Sequence, residues 1–327
     1  MDVSPWVWWV TIGVTTGFLV IDVVIIGRRP HEPSMREVSR DLIGYVAAAI
    51  AFGLGVMYFS GVEYGGEFFA GWLTEYSLSI DNLFVFIIIL TKFGVPRQLQ
   101  QSALLIGIVL ALVMRGIFIA VGAAAINEFS WVFYLFGLFL VYTAANLAKG
   151  GETDDDEYKE SRLVRWAQRL PTTDDYVGAK LVVKEDGRRL FTPMFIVIIA
   201  LGTTDLLFAL DSIPAIYGLT SEPYLVLTAN LFALMGLRQL YFLIGGLLKQ
   251  LVYLSYGLAV LLAFIGVKLI LHAMHENELP FINGGEHIEW APDIPTWASL
   301  VAIVVILGVT TVASLARSWR EEPARSD

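Results

Sequence analysis

Residues 192 to 217 read TPMFIVIIALGTTDLLFALDSIPAIY, apolar enough to span a bilayer yet carrying Asp205 and Asp211 in the middle. At the centre of a membrane helix each ionised Asp costs roughly 2.5 to 3.5 kcal/mol on insertion scales, so such residues face an interior cavity and bind something. Residues 67 to 93 repeat the device, with Glu75 and Asp81 six apart in EYSLSIDNLFVF. Both stretches point to acidic membrane helices that face one shared site.

Working outward, the 327-residue chain is 56% hydrophobic and only 16% charged, a composition that no soluble domain's surface accommodates. The predicted fold class is all-α: a polytopic membrane protein with one transmembrane domain. The chain has no cysteine, which excludes disulfides, thiolate metal sites and cysteine nucleophiles. The N-terminus lacks the basic region and small-residue cleavage site of a signal peptide, so its apolar run is expected to stay as a helix. The formal charge of −9 sits largely in loops and speaks to loop partners rather than to the fold.

Apolar runs of about 20 residues count as spans. They predict nine helices, at 5 to 27, 41 to 60, 67 to 93, 98 to 123, 129 to 148, 192 to 217, 223 to 246, 248 to 271 and 296 to 316. Between the fifth and sixth lies a polar segment, 149 to 191, whose first part reads either as a short amphipathic helix, Tyr158 to Arg169, or as a solvated linker. In the helical reading Trp166 and Leu163 lie against headgroups.

Of the 22 Lys and Arg residues, all but Arg115, Arg238 and Lys268 fall in or at the edges of the loops after spans one, three, five and seven, or in the C-terminal tail. The positive-inside rule then places the N-terminus outside and the C-terminus in the cytoplasm of a bacterial-type inner membrane. The segment 149 to 191 becomes a cytoplasmic loop and 272 to 295 an outer acidic loop. Span three runs outside to inside while span six runs inside to outside. Span four holds Arg115 and Gly122, and span seven Arg238 and Gly245, each pair seven apart. An acidic helix followed by an arginine helix, repeated in opposite orientation, is the pattern of an inverted-repeat transporter, here spans two to four against five to seven.

Six residues turn a helix by 600° and advance it roughly 9 Å, so the acids of each pair stand about 120° apart. Either they form two layers along a path, or the helix is locally broken. Pro214 favours a break in span six because it frees the carbonyl of Leu210; span three has no proline. The main site is placed at Asp81 and Asp211 with Asn82 and Ser212, and a second layer at Glu75 and Asp205. With Asp22, five carboxylates face Arg115 and Arg238, a net of −3 if all are ionised. That surplus suits a divalent cation accompanied by protons, and hard oxygen ligands favour Mn²⁺, Mg²⁺ or Ca²⁺.

Each choice has a plainer competitor. Arg115 and Arg238 read as structural counterions or as members of a transport path. Asp22 is a ligand or a solvated helix end. Asn82, Asn146 and Asn230 read as ligands or as interhelical hydrogen-bonding groups, with Asn82 beside Asp81 the ligand of choice, and Met114 and Met235 read as packing. His272, His275, Glu276, Glu278, Glu286, His287 and Glu289 form either a metal-capture cluster or a solvated acidic loop. The chain carries no phosphate-binding glycine loop, which argues against an ATP-driven pump. It also lacks the G-x-G-D motif of intramembrane aspartyl hydrolases, so it is not expected to be an enzyme. Nucleic acid is not an expected partner, and no permanently bound cofactor is expected.

GWLTEYSLSIDNLFVF (71 to 86), TTDLLFALDSIPAIYGLT (203 to 220) and TANLFALMGLRQLYFLIGG (228 to 246) closely resemble the TerC family, and the length resembles its Alx-like branch. The family is named for tellurium resistance. The resemblance implies manganese export in Alx-like members, and metal supply to secreted enzymes in some others. It implies intramembrane acids at Glu75, Asp81, Asp205 and Asp211, amides at Asn82 and Asn230, arginines at Arg115 and Arg238, and the first-helix acid at Asp22. An alternative in the same frame is metal delivery or sensing through a protein partner at the cytoplasmic loop. The stretch His272 to Asp293 departs from the pattern.

Overall fold

The computed structural model describes residues 3–28, 33–129, 131–150, 161–185, 188–244, 253–277, 279, 282–288, 290–292 and 294–321. The side chains of Asp22 and Asp81 lie outside the described residues, as do Glu278 and Glu289. The chain folds as a helical bundle. Its long helices are α1 (Pro5–Arg28), α2 (Met35–Ser60), α3 (Val62–Lys92), α4 (Arg97–Glu128) and α5 (Val132–Gly150), then α7 (Pro193–Tyr217), α8 (Pro223–Ile244), α9 (Leu254–His275) and α10 (Thr296–Glu321). Among the described residues eight of them, α2 to α5 and α7 to α10, are long and apolar enough to cross a membrane. The all-α polytopic class follows.

The helices overrun the apolar runs that announce them. α2 begins six residues before the expected start, because Ser34 caps it by accepting a hydrogen bond from the Glu37 amide at 3.3 Å. α3 begins at Val62, directly after Gly61, whose φ of +110° lets the chain reverse without a loop. Counting hydrophobic residues stops at Glu63 and Glu67, whereas the backbone keeps its hydrogen bonds through them. The break expected at Pro214 is absent: α7 runs unbroken to Tyr217 despite the missing amide, as does α3 through both of its acids. The acids of each pair therefore stand on different faces.

Between α5 and α7 the structure holds a shorter helix than expected, α6 (Arg162–Ala167), capped by Ser161. Residues 151–160 lie outside the described ones. Val164 and Ala167 are buried in the bundle's largest apolar cluster, while Leu163 and Trp166 are exposed. A two-stranded antiparallel hairpin, β1 (Val182–Glu185) and β2 (Arg188–Phe191), follows; the alternation of VVKE and RRLF is too short to have announced it. Tyr176 fastens this region to the α3–α4 turn by donating to the Phe93 carbonyl at 2.8 Å, and burial pushes its phenol pKa up. The hairpin and the α3–α4 turn thus share one end of the bundle. Thr220, after α7, donates to Glu67 of α3 at 2.5 Å and marks the opposite end.

α8 is the most enclosed helix, packed between α2, α3 and α4. α5 packs most closely on α9, and glycines make that possible. A Cβ on Gly137 would lie 2.7 Å from the Gly266 carbonyl oxygen, and one on Gly266 would lie 2.8 Å from that of Gly137. Gly116, by contrast, faces open space. Gly266→Leu is expected to destabilise by about 1–3 kcal/mol, since the obstacle is backbone that cannot rotate away, and Gly116→Leu by well under that. Thermal unfolding of the two purified variants checks the difference.

Candidate functional site

The centre of the bundle is organised by Arg115, whose side chain is fully buried near the middle of α4. It forks onto Asp205 of α7, with Nε donating to Oδ2 and Nη2 to Oδ1, both at 3.0 Å. Two parallel bonds between planar groups are the strongest arrangement open to this pair. Nη1 donates to Glu75 Oε1 of α3, to Asn230 Oδ1 of α8 at 2.9 Å and, more weakly, to Ser212 Oγ at 3.4 Å. Asn230 is held in that orientation by its own amide, which donates to the Val226 carbonyl at 3.1 Å. One guanidinium therefore ties four helices together.

Helical geometry explains which residues meet. Seven residues return a helix to within about 20° of the same face, whereas six leave it about 120° away. Ser212, seven after Asp205, joins the Arg115 cluster; Asp211 does not. Asp211 turns toward α5, where Thr143 Oγ1 donates to its Oδ1 at 3.1 Å. On α3, Ser79 donates to Glu75 Oε1 at 3.4 Å, and Asn82, seven after Glu75, is buried. Thr143 was not singled out in the sequence, because its only distinction is a partner 68 residues away. Thr143→Val keeps the shape and removes the donor, so a stability loss of about 1 kcal/mol is expected, with Thr143→Ser near the parent; chemical denaturation resolves the two.

The electrostatics of the cluster do not close. Two carboxylates share one arginine, and Glu75 Oε2, fully buried, has no hydrogen-bond partner. A buried carboxylate oxygen left bare is costly in a low-dielectric interior. Carboxylates, an amide oxygen and a hydroxyl are the donors that hard divalent cations or protons take. Arg238, expected to mirror Arg115, lies instead near the hairpin end of α8, beside Glu37 and Asp41 of α2. The two arginines of the sequence pattern do different work.

At the opposite end a cavity of about 620 Å³ opens between α3, the α7–α8 turn, α9 and the start of α10, with Glu63, Glu67, Thr220, Lys268 and His272 on its walls. Glu67 stands two helical turns, about 12 Å, from Glu75. Between them Gly71 packs against Ile216 and Ala229. In the loop before α10, Asn277 is the hub: buried, it donates to the carbonyls of Ile282 at 2.8 Å and Glu286 at 3.1 Å. His287 Nδ1 bonds the His275 carbonyl. Among the described residues no three His, Cys, Asp or Glu side chains come together there or elsewhere to hold a metal.

A bundle of membrane-length helices built round a buried ion cluster defines a polytopic integral membrane protein. The model of the integral membrane protein TerC family matches residues 60–322, and the chain belongs to that family. It is 50% identical over 318 residues to an uncharacterized membrane protein of Mycobacterium tuberculosis, covering 96% of this chain and 80% of that one. It is 35% identical to an uncharacterized membrane protein of Myxococcus xanthus, over 99% and 96% of the two chains. A protein of Photorhabdus laumondii named putative membrane-bound redox modulator Alx is 34% identical, over 95% of each. No solved structure matches the chain.

Proposed function

We propose that the protein is a secondary transporter that exports Mn²⁺ across the cytoplasmic membrane. The observation that carries the reading is the Arg115 cluster, where two buried carboxylates share one cation and Glu75 keeps an oxygen uncommitted. In this reading Glu75, Asp205, Asn82 and Ser212 line the central position. Asp81 and Asp211 form the second layer of oxygen ligands, and Asp22 is a further acid near the path. Arg115 replaces the cation's charge when the site is empty. The two sets of helices rock about the cluster, with the N-terminus outside, the C-terminus in the cytoplasm and the 620 Å³ vestibule as the outer mouth. Mg²⁺ and Ca²⁺ are the competing cargo by ligand chemistry.

A second reading, metal delivery or sensing through a partner, draws on the redox name of the Alx relatives. This chain has no cysteine, so a thiol of its own cannot carry such an effect, and a metal cargo is the carrier this reading assigns. Mn²⁺ flux into proteoliposomes, with and without a pH gradient, separates the two. The transporter reading expects flux that follows the gradient and falls to background in an Asp81→Asn, Asp211→Asn double variant. Folded protein that binds Mn²⁺ yet moves none supports delivery instead.

A further inference from the structure

At the hairpin end the described residues enclose only a small void, in contrast to the large cavity at the opposite end, and most of its lining is polar. Glu37 and Asp41 lie one turn apart on α2 and so share a face. They line a void of about 10 Å³ together with Gln101 of α4 and Arg238 and Gln239 of α8. With its amide turned to satisfy both ends, Gln239 donates to the Met235 carbonyl at 3.2 Å and accepts from Arg238 Nη2 at 2.7 Å. Asp41 Oδ1 also accepts from exposed Arg40, at 3.1 Å from Nε and 2.9 Å from Nη2. Gln101 is different: it is 3% exposed, and its Oε1 has no hydrogen-bond partner. Gln101 lines this small polar void, and its side-chain oxygen has its acceptor capacity unspent.

We propose that this pocket is a second position for one divalent cation, in series with the Arg115 cluster, bound by the carboxylates of Glu37 and Asp41 and by Gln101 Oε1. The inference rests on the cation-transport reading. The donors are those that hard cations take: two carboxylates and an amide oxygen. The void is of the size that a single water needs, about 10–15 Å³, so the site accepts a cation only once stripped of most of its water or once the pocket widens. Arg238 supplies positive charge beside the two acids while the site is empty. A cation arriving at the acids makes that charge redundant and repels it, which loosens the packing of α8 on α2. The arginine acts as a bolt that the cargo draws.

The chain has no cysteine, so Val38→Cys, a residue on the pocket wall that is 2% exposed, is a clean reporter. Purified full-length protein is treated with a water-soluble maleimide, with and without Mn²⁺. Labelling is expected to be slow without metal and to speed up on the order of tenfold when Mn²⁺ shifts the closed population. Arg238→Gln is expected to label fast without metal, and Gln101→Leu to lose the Mn²⁺ response. Gln101→Glu, which adds an anionic ligand, is expected to respond at lower Mn²⁺, and it keeps the test decisive if the leucine variant does not fold. In a Glu75→Gln background the response is expected to persist at the same Mn²⁺ concentration, and its loss would overturn an independent pocket. Labelling indifferent to Mn²⁺ in a protein that transports it overturns the pocket and leaves the transporter standing. Mn²⁺-accelerated labelling with no flux upholds the pocket and removes the transporter.

Discussion

Arg115→Gln is expected to leave little folded protein. The substitution strands two carboxylates, Glu75 and Asp205, in the centre of the bundle with no counterion and removes the group that joins α3, α4, α7 and α8. Removing one partner of a buried ion pair costs about 3–5 kcal/mol, a large share of the roughly 5–15 kcal/mol that holds a domain folded. Size-exclusion profiles and thermal melts in detergent read the effect directly. The double variant Arg115→Gln, Asp205→Asn removes the fork from both sides and is expected to recover part of the loss, because one stranded charge is gone. An Arg115→Gln protein that melts with the parent would show that the cluster is not what binds the helices together.

Glu75→Gln is expected to separate transport from folding. The glutamine keeps an oxygen for the Arg115 Nη1 donor and the same volume, so the fold is retained. With the glutamine oxygen kept by Arg115, the unspent carboxylate oxygen is replaced by an amide nitrogen, which has no lone pair to offer a divalent cation. Mn²⁺ flux is expected to fall on the order of tenfold or more, which is what about 1.4 kcal/mol of lost binding produces. Asp211→Asn, on the α5 side, is the comparison. Flux that survives Glu75→Gln and disappears in Asp211→Asn would move the central position from the arginine cluster to the acid held by Thr143.

Much of this was legible in the sequence. The acids at 75 and 205 and the arginine at 115 announce themselves by being charged inside apolar runs, and the structure brings them into one cluster. The sequence grouped Ser212 and Asn82 with their neighbours Asp211 and Asp81, whereas the seven-residue spacing puts Ser212 on the Arg115 cluster beside Asp205 and Asn82 on the face of Glu75. The separate environment of Asp211 was not legible, because Thr143 is an ordinary residue of an apolar helix and only the packing of α5 on α7 brings it within 3.1 Å. Nor was the divergence of the two arginines. Spacing makes Arg115 and Arg238 look equivalent, but only packing decides that one meets Glu75 and Asp205 while the other sits beside Glu37 and Asp41. The short helix α6 was anticipated as one of two readings, though over a longer range, while the hairpin escaped notice for want of length, having 4 residues per strand.

The glycine contact between α5 and α9 has a mechanical meaning. At Gly137 and Gly266 the two backbones approach one another directly, and the side chains of Val141 and Ile270 close around the contact. The pair carries Thr143 on α5 and Lys268 and His272 on α9. The helix that donates to Asp211 is thus packed directly on a helix that forms a wall of the large cavity.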